Sequence, residues 1–372
     1  MRYFFSTGEP SGEAAAIAFA DAIRAIDAEA QFEGIGAGRM EAAGFRLWRN
    51  HTGWASMGPL AAIPRIPKLL AAMLRTASHI AATKPDLVVL VDFGVFNLRL
   101  ARQLRRLGYA GKVLDLFPPG TWLDNAEKAR QVSEATVPLT AFAHQYEFYK
   151  SIGCRIEYFG HPLASRYPVP LPRGAPPADG GIVAMLPGSR AGELRRHVPL
   201  LLQAFRALAL RRPRLRGIFG AADARAAARM ERALADEKPA EVEIARGAAA
   251  ALERADGAWV ASGTAVLETA LYDVPAVAIY VIPPILKRYG RRMIRHRFIT
   301  LPNLVLGREI VPELLQEDAT PERLAETLDR LMAHPEEQRA AYAEMRRALG
   351  PPDALERCAR FAVELAREPA TQ

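Results

Sequence analysis

The stretch "MLPGSRAGELRRH", residues 185–197, places a short apolar run before Pro-Gly-Ser-Arg and then a run that continues only as a helix. Ile182 to Leu186 reads as a buried strand, Gly188 and Ser189 as the tight turn and helix cap, and Arg190 stands beside the exposed amides. Amide N–H groups at such a helix start suit a phosphate. The same residues would equally serve an ordinary strand-turn-helix capped by Ser189.

Outward from this turn the pattern repeats. Arg2 to Ser6, Phe32 to Gly36, Leu87 to Phe93, Val113 to Phe117 and Val137 to Phe142 are short apolar runs separated by helix-length segments. Such alternation predicts a parallel sheet with helices on both faces. Residues 166–181, RYPVPLPRGAPPADGG, hold five prolines without periodicity and read as a linker. Beyond it come Ile182 to Leu186, Leu215 to Gly220, Val242 to Ala245, Ala258 to Ala261 and Ala276 to Ile282. From residue 309 onward the chain is expected to be helical.

The expected architecture is therefore α/β, with two doubly wound Rossmann-like domains facing a cleft. They span residues 1–165 and 182–350, and the tail 351–372 is a helix expected to pack back on the first domain. Ligands of such sheets bind at the carboxyl ends of the strands. A chain of 372 residues is long for one core, which agrees with two domains.

The formal net charge is +8. Nucleic acid is disfavoured as a partner, because no zinc-finger, RNA-binding or basic-zipper pattern is present. Cys154 and Cys358 fall in no metal-ligand spacing and are too few for a disulfide framework. No signal-peptide core or bilayer-length apolar stretch appears, so a cytoplasmic location is expected.

Three further stretches carry chemistry. "STGEPSGE" (6–13) opens the first half as "LPGSRAGE" opens the second, and Gly8, Ser11 and Gly12 are assigned to substrate binding. In "VASGTAVLETA" (260–270), Ser262, Gly263 and Thr264 offer amides and hydroxyls, and Glu268 stands on the following helix, within reach of ribose hydroxyls. "LVVLVDFGVFNLRL" (87–100) ends a strongly apolar strand on Asp92, where a general base or a simple helix cap would stand. His161, in "YFGHP", is a weaker candidate for the same cleft.

The order GEPSGE, GAGRM (36–40), an Asp-ended strand with Phe96-Asn97, GHP, LPGSR, ASGTAVLE and TLPNLVLGREIVPELLQE (300–317) resembles the lipid-A-disaccharide synthase family. The resemblance implies a GT-B glycosyltransferase peripheral to the inner membrane. It joins UDP-2,3-diacylglucosamine to 2,3-diacylglucosamine 1-phosphate in a β-1,6 linkage, releasing UDP. On this resemblance Asp92 deprotonates the acceptor 6-hydroxyl, Arg190 with the Ser262 to Thr264 amides stabilises the leaving diphosphate, and Asn303 is a binding residue. Asn97 and Trp122 fall on the acceptor side. No metal or other cofactor is expected, since cationic side chains and helix dipoles carry the charge. Family members also form dimers through their C-terminal regions, so a homodimer is a possible assembly.

The chain departs from the family pattern in places. Val95 replaces the second aspartate after the Asp-bearing strand, Asp124 and Asn125 replace a tryptophan and an arginine near Trp122, and GEASGD has become GEPSGE. These changes lie on the acceptor side and leave two rivals: a GT-B enzyme with another acceptor, and a homologue that binds without turnover.

Positive charge clusters in "PPILKRYGRRMIRHRF" (283–298). On a helix Arg288, Arg291, Arg292 and Arg295 share one side, suited to an anionic membrane surface or to solvent alone. "PLAAIPRIPKLLAAMLR" (59–75) is a second candidate, apolar enough to receive acyl chains or to pack as core.

Overall fold

A computed structural model describes residues 1–51, 54, 66–118, 125–167, 174, 176–235, 237–282 and 298–369. Trp122, Asp124, the four arginines of the basic stretch and residues 168–173 and 175 of the proline-rich linker lie outside these residues. The chain divides into two compact units, Met1–Arg166 with Leu349–Gln372, and Tyr167–Ala348.

The first unit holds a seven-stranded parallel sheet, β1 (Arg2–Ser6), β2 (Gln31–Gly36), β3 (Arg46–Asn50), β4 (Leu87–Val91), β5 (Lys112–Leu116), β6 (Val137–Thr140) and β7 (Glu157–Tyr158), in the order β3-β2-β1-β4-β5-β6-β7. Successive side chains alternate between two cores. Leu87, Val89 and Val91 pack with Tyr3 and Phe5 on one face, while Val88 and Leu90 pack with Phe4 on the other. Burial on both faces is why β4 reads as an unbroken apolar run. Each such Val, Leu or Phe contributes roughly 1.5–3 kcal/mol by leaving water.

Helices Pro10–Arg24 and Ala354–Arg367 cover the first face, where Cys358, Ala359, Ala362 and Val363 join the core of Phe5 and Phe19. Helices Ile66–Thr83 and Gly94–Arg106 cover the second face. The C-terminal helix thus completes the core that the first residues begin.

The second unit repeats the topology with six parallel strands, β8 (Gly180–Leu186), β9 (Arg214–Ala221), β10 (Val242–Arg246), β11 (Gly257–Ala261), β12 (Ala276–Tyr280) and β13 (Glu313–Leu315), in the order β10-β9-β8-β11-β12-β13. In both sheets the strand order reverses beside the first strand, so ligand-binding edges are expected after β1 and β4, and after β8 and β11.

Four expectations need correction. The tail from residue 309 is not all helix, because Glu313–Leu315 pairs with Ala278, Ile279 and Tyr280 as an edge strand. Its three residues are too few to show a period. β8 begins at Gly180, inside the expected linker, where Gly180 and Gly181 pair with Arg214 and Leu215. β4 stops at Val91, because Asp92 and Phe93 take φ of +53° and +50°. β3 went unread because its sequence, RLWRN, carries two arginines and little apolar character.

Candidate active site

At the β1/β4 edge the chain turns through two left-handed residues, Asp92 and Phe93. A left-handed residue other than glycine costs roughly 1–2 kcal/mol, and Asp is among the few that tolerate it by bonding locally. Asp92 does so, its Oδ1 accepting from the Phe93 N–H at 3.0 Å. Asn97, fully buried, holds the turn from below. Its Nδ2 donates to the carbonyls of Asp92 at 2.7 Å and Ser6 at 3.3 Å, and its Oδ1 accepts from the Ser6 hydroxyl at 2.7 Å. Asn97 is therefore a clip between β1 and β4, its amide bonded to the backbone of both strand ends.

Gly8 also has a packing reason. A Cβ there would collide with the Phe93 ring, so Gly8 is buried as the floor on which Phe93 lies. Gly12 is looser, since a Cβ there would sit 3.6 Å from the Asp92 Cβ in ordinary contact. The start of helix Pro10–Arg24 therefore lies beside Asp92, with Ser11 exposed at its first turn. Glu13, on the same helix, is buried and accepts from the Ala37 N–H, fixing the GAGRM turn. Trp54 and Phe96 stack with Phe93 at 6.4 and 5.2 Å, giving the edge an aromatic wall.

Two of the buried ionisable groups of this unit have strongly shifted pKa values. Asp115 of β5 is raised to about 7 by burial and then by the charge of Asp92. Its position in a strand interior hid it from a sequence reading. His161 is lowered to about 4 by burial, and its Nδ1 accepts from the Leu163 N–H at 3.1 Å. It is a neutral cap of the short helix Pro162–Arg166.

In the second unit the turn after β8 carries Gly188 at φ +98°, where a side chain would also collide with Glu193. Helix Ala191–Ala209 is capped at Arg190, not at Ser189. The capping group is the Glu193 carboxylate: Oε2 accepts the amides of Ser189 and Arg190, both at 3.2 Å, and Oε1 lies 3.3 Å from the Arg190 guanidinium. The Ser189 and Arg190 amides are thus committed within the turn. The amides of the next helical residues have no intrahelical acceptor.

One turn further, His197 is wholly buried, with Nδ1 2.8 Å from the Pro187 carbonyl and Nε2 accepting from the Val281 N–H at 3.1 Å. That pairing requires the neutral ring protonated on Nδ1, and desolvation lowers its pKa accordingly. His197 links the 187–190 turn to the end of β12. The helical period of 193 and 197 was its only signal.

At the end of β11 the Ser262 amide donates to the Ile279 carbonyl and its hydroxyl to the Ile299 carbonyl, the latter at 3.3 Å. Gly263 at φ +153° and Thr264, both exposed, open helix Thr264–Leu271, and Glu268 lies half-buried along it. Asn303 is fully used inside the fold. It donates to Val311 O and Glu313 Oε1, and accepts the amides of Ile310 and Val311, all within 2.9 Å. These bonds make it part of the scaffold that leads into β13. Glu313 gathers the amides of Ile299 and Thr300 and the Thr300 hydroxyl, so Asn303 and Glu313 fasten the stretch LPNLVLGREIVPELL together.

The family model described as lipid-A-disaccharide synthetase matches residues 3–361. The chain belongs to the lipid-A-disaccharide synthetase family. It is 32% identical to a lipid-A-disaccharide synthase of Pseudomonas aeruginosa, over 94% of both chains. It is 34% identical to that of Azotobacter vinelandii, over 98% of both. The one from Myxococcus xanthus is 33% identical, over 98% of this chain and 97% of that one.

Among solved structures, Acinetobacter baumannii MurG superposes with a TM-score of 0.58 at 16% identity, covering 98% of this chain and 99% of that one. A Neisseria meningitidis UDP-GlcNAc 2-epimerase gives 0.63 at 10% identity, covering 98% and 100%. These likenesses show the fold, two Rossmann-like domains of the GT-B kind. As a lipid-A-disaccharide synthetase the chain is a glycosyltransferase that forms the lipid A disaccharide.

Proposed function

We propose that the reaction is an inverting displacement in which Asp92 is the general base. The acceptor, 2,3-diacylglucosamine 1-phosphate, gives its 6-hydroxyl proton to Asp92 as its oxygen bonds to the sugar carbon of UDP-2,3-diacylglucosamine. The carbon–oxygen bond to UDP breaks, and UDP leaves. Arg190, with the first-turn amides after it and those of Gly263 and Thr264, neutralises the diphosphate, and Glu268 accepts from the ribose. Fixed donors and cations of this kind stabilise a leaving anion without a metal.

The observation that supports this reading is the fastening of Asp92. A strained left-handed turn at the carboxyl end of a central strand is held by Asn97 and by Phe93 on Gly8. Strain kept in place by such support is a mark of functional positions. Asp92→Asn keeps the shape and cannot accept a proton, so turnover should fall about 10²- to 10⁴-fold with UDP affinity unchanged. Near-normal turnover would make Asp92 a turn residue only.

The acylated substrates bring the enzyme to a lipid surface. Among the described residues, Ile66, Leu70 and Leu74 form an exposed apolar line on helix Ile66–Thr83, with Trp48 and Arg75 beside Leu74. That line and the basic stretch 287–297 together make the membrane-facing elements of this reading, one by insertion and one by charge.

A further inference from the structure

Asp115 stands next to the proposed base in the sheet. Leu90 of β4 pairs with Asp115 of β5, and Val91 with Leu116, so Asp92 and Asp115 leave neighbouring strands at the same carboxyl edge. Asp115 and Val113 alternate with Leu114 and Leu116, which places Asp115 on the face that Val113 shares with Leu90 and Val132.

Asp115 is 6% exposed. Burial of a carboxyl disfavours its charged form. Its charged neighbour is Asp92, of like sign, at the end of the adjacent β4. From helix Ala143–Ser151 the phenol of Tyr149 feels its charge, and the Tyr149 hydroxyl is buried with no hydrogen-bond partner among the described residues. From helix Ala126–Ala135 the buried neighbours are the neutral Ala129 and Val132. Structure alone gives no reason to keep a carboxylate here.

We propose that Asp115 is a positioning residue for proton transfer: it forms a titrating pair with Asp92, and its ionisation makes Asp92 the stronger base. This rests on the reading of Asp92 as base. Two carboxylates sharing one edge do not ionise independently, and the proton count belongs to the pair. With Asp115 neutral, no like charge beside Asp92 favours its taking a proton. Once Asp115 is charged, a proton on Asp92 is favoured by the repulsion it relieves. The acceptor hydroxyl proton then passes to Asp92 as the new sugar bond forms, and it leaves to water after UDP departs. The value of about 7 for Asp115 puts this change at working pH.

The test is the pH profile of kcat for wild type, Asp115→Asn and Asp92→Asn. Wild type should rise with pH through a step near 7. Asp115→Asn should lose that step, with a plateau several-fold lower and its KM for the sugar nucleotide unchanged. A step near 7 that persists in Asp115→Asn overturns the inference. If Asp92→Asn turns over normally, the base assignment itself fails. If Asp92→Asn is inactive and the step survives in Asp115→Asn, only the present inference fails. Should Asp115→Asn not fold, the infrared carbonyl band of protonated carboxyl in the wild-type protein decides: it should disappear across pH 6–8, and its absence at pH 6 overturns the pairing.

Discussion

The side-chain amide of Asn97 donates to the Asp92 carbonyl at 2.7 Å while its oxygen takes the Ser6 hydroxyl at 2.7 Å. One buried residue therefore fixes the ends of two central strands and the backbone of the proposed base. Asn97→Ala strands the Ser6 hydroxyl and the carbonyls it served, a loss of about 1–3 kcal/mol. Urea unfolding should show it. Turnover of the remaining folded protein should also drop, because the left-handed turn at Asp92 loses its support. Wild-type turnover in a destabilised Asn97→Ala would separate the clip from the chemistry.

Arg190 is half exposed and within 3.3 Å of Glu193, so it is held near the turn and still reaches a ligand. Arg190→Ala removes a charge-assisted contact, for which roughly 1.5–3 kcal/mol is typical, or about ten- to a hundred-fold in UDP affinity. Calorimetric titration with UDP measures it. Equal affinities in wild type and variant would move the diphosphate away from the 187–190 turn.

Much of this was legible before any coordinates. Unbroken apolar runs such as LVVLV announce strands buried on both faces, and Gly-Ser turns after them announce the ligand edges. What the residues Asn97, Asn303 and Gly8 do was not legible. A polar side chain at a site reads alike whether it faces a ligand or the backbone beneath, and a glycine reads alike whether a phosphate or a phenyl ring lies on it. Glu193, His197 and Asp115 were missed for a related reason. Their roles come from partners brought close by the sheet, as with Val281 on His197, 84 residues away. β13 and β7 were too short to carry a period.

His161 yields a pH prediction. Its folded pKa, about 4, lies below its ordinary 6.5, so the fold disfavours the charged ring. Its contribution to stability is whole above pH 6.5 and is lost as pH falls toward 4, by about 3 kcal/mol at most. Asp115 has the opposite sign over this range, so the comparison is between wild type and His161→Gln. Their difference in unfolding free energy should shrink as pH is lowered from 7 to 4. A difference independent of pH would show that His161 is not buried neutral.

Membrane attachment separates into two parts. Six positive charges lie within residues 287–297, each worth about 1 kcal/mol near an anionic surface before screening. Binding through them should disappear at about 1 M salt, where the Debye length is about 3 Å. Binding through Leu70 and Leu74 should survive it. Sedimentation with anionic vesicles at both salt levels, for wild type, a glutamine variant of Arg288, Arg291, Arg292 and Arg295, and Leu70→Ser/Leu74→Ser, assigns each part. Undiminished sedimentation of both variants at low salt would remove both elements from the membrane-facing surface.

The central claim is that this chain joins two acylated glucosamines with Asp92 as base. The most direct measurement is to incubate purified protein with UDP-2,3-diacylglucosamine and 2,3-diacylglucosamine 1-phosphate, following UDP release and the disaccharide 1-phosphate by mass spectrometry, with Asp92→Asn alongside. The account predicts UDP and disaccharide in equal amounts from wild type, and at least about a hundred-fold less of both from the variant. No disaccharide from folded wild type, or equal rates from the two proteins, would contradict it.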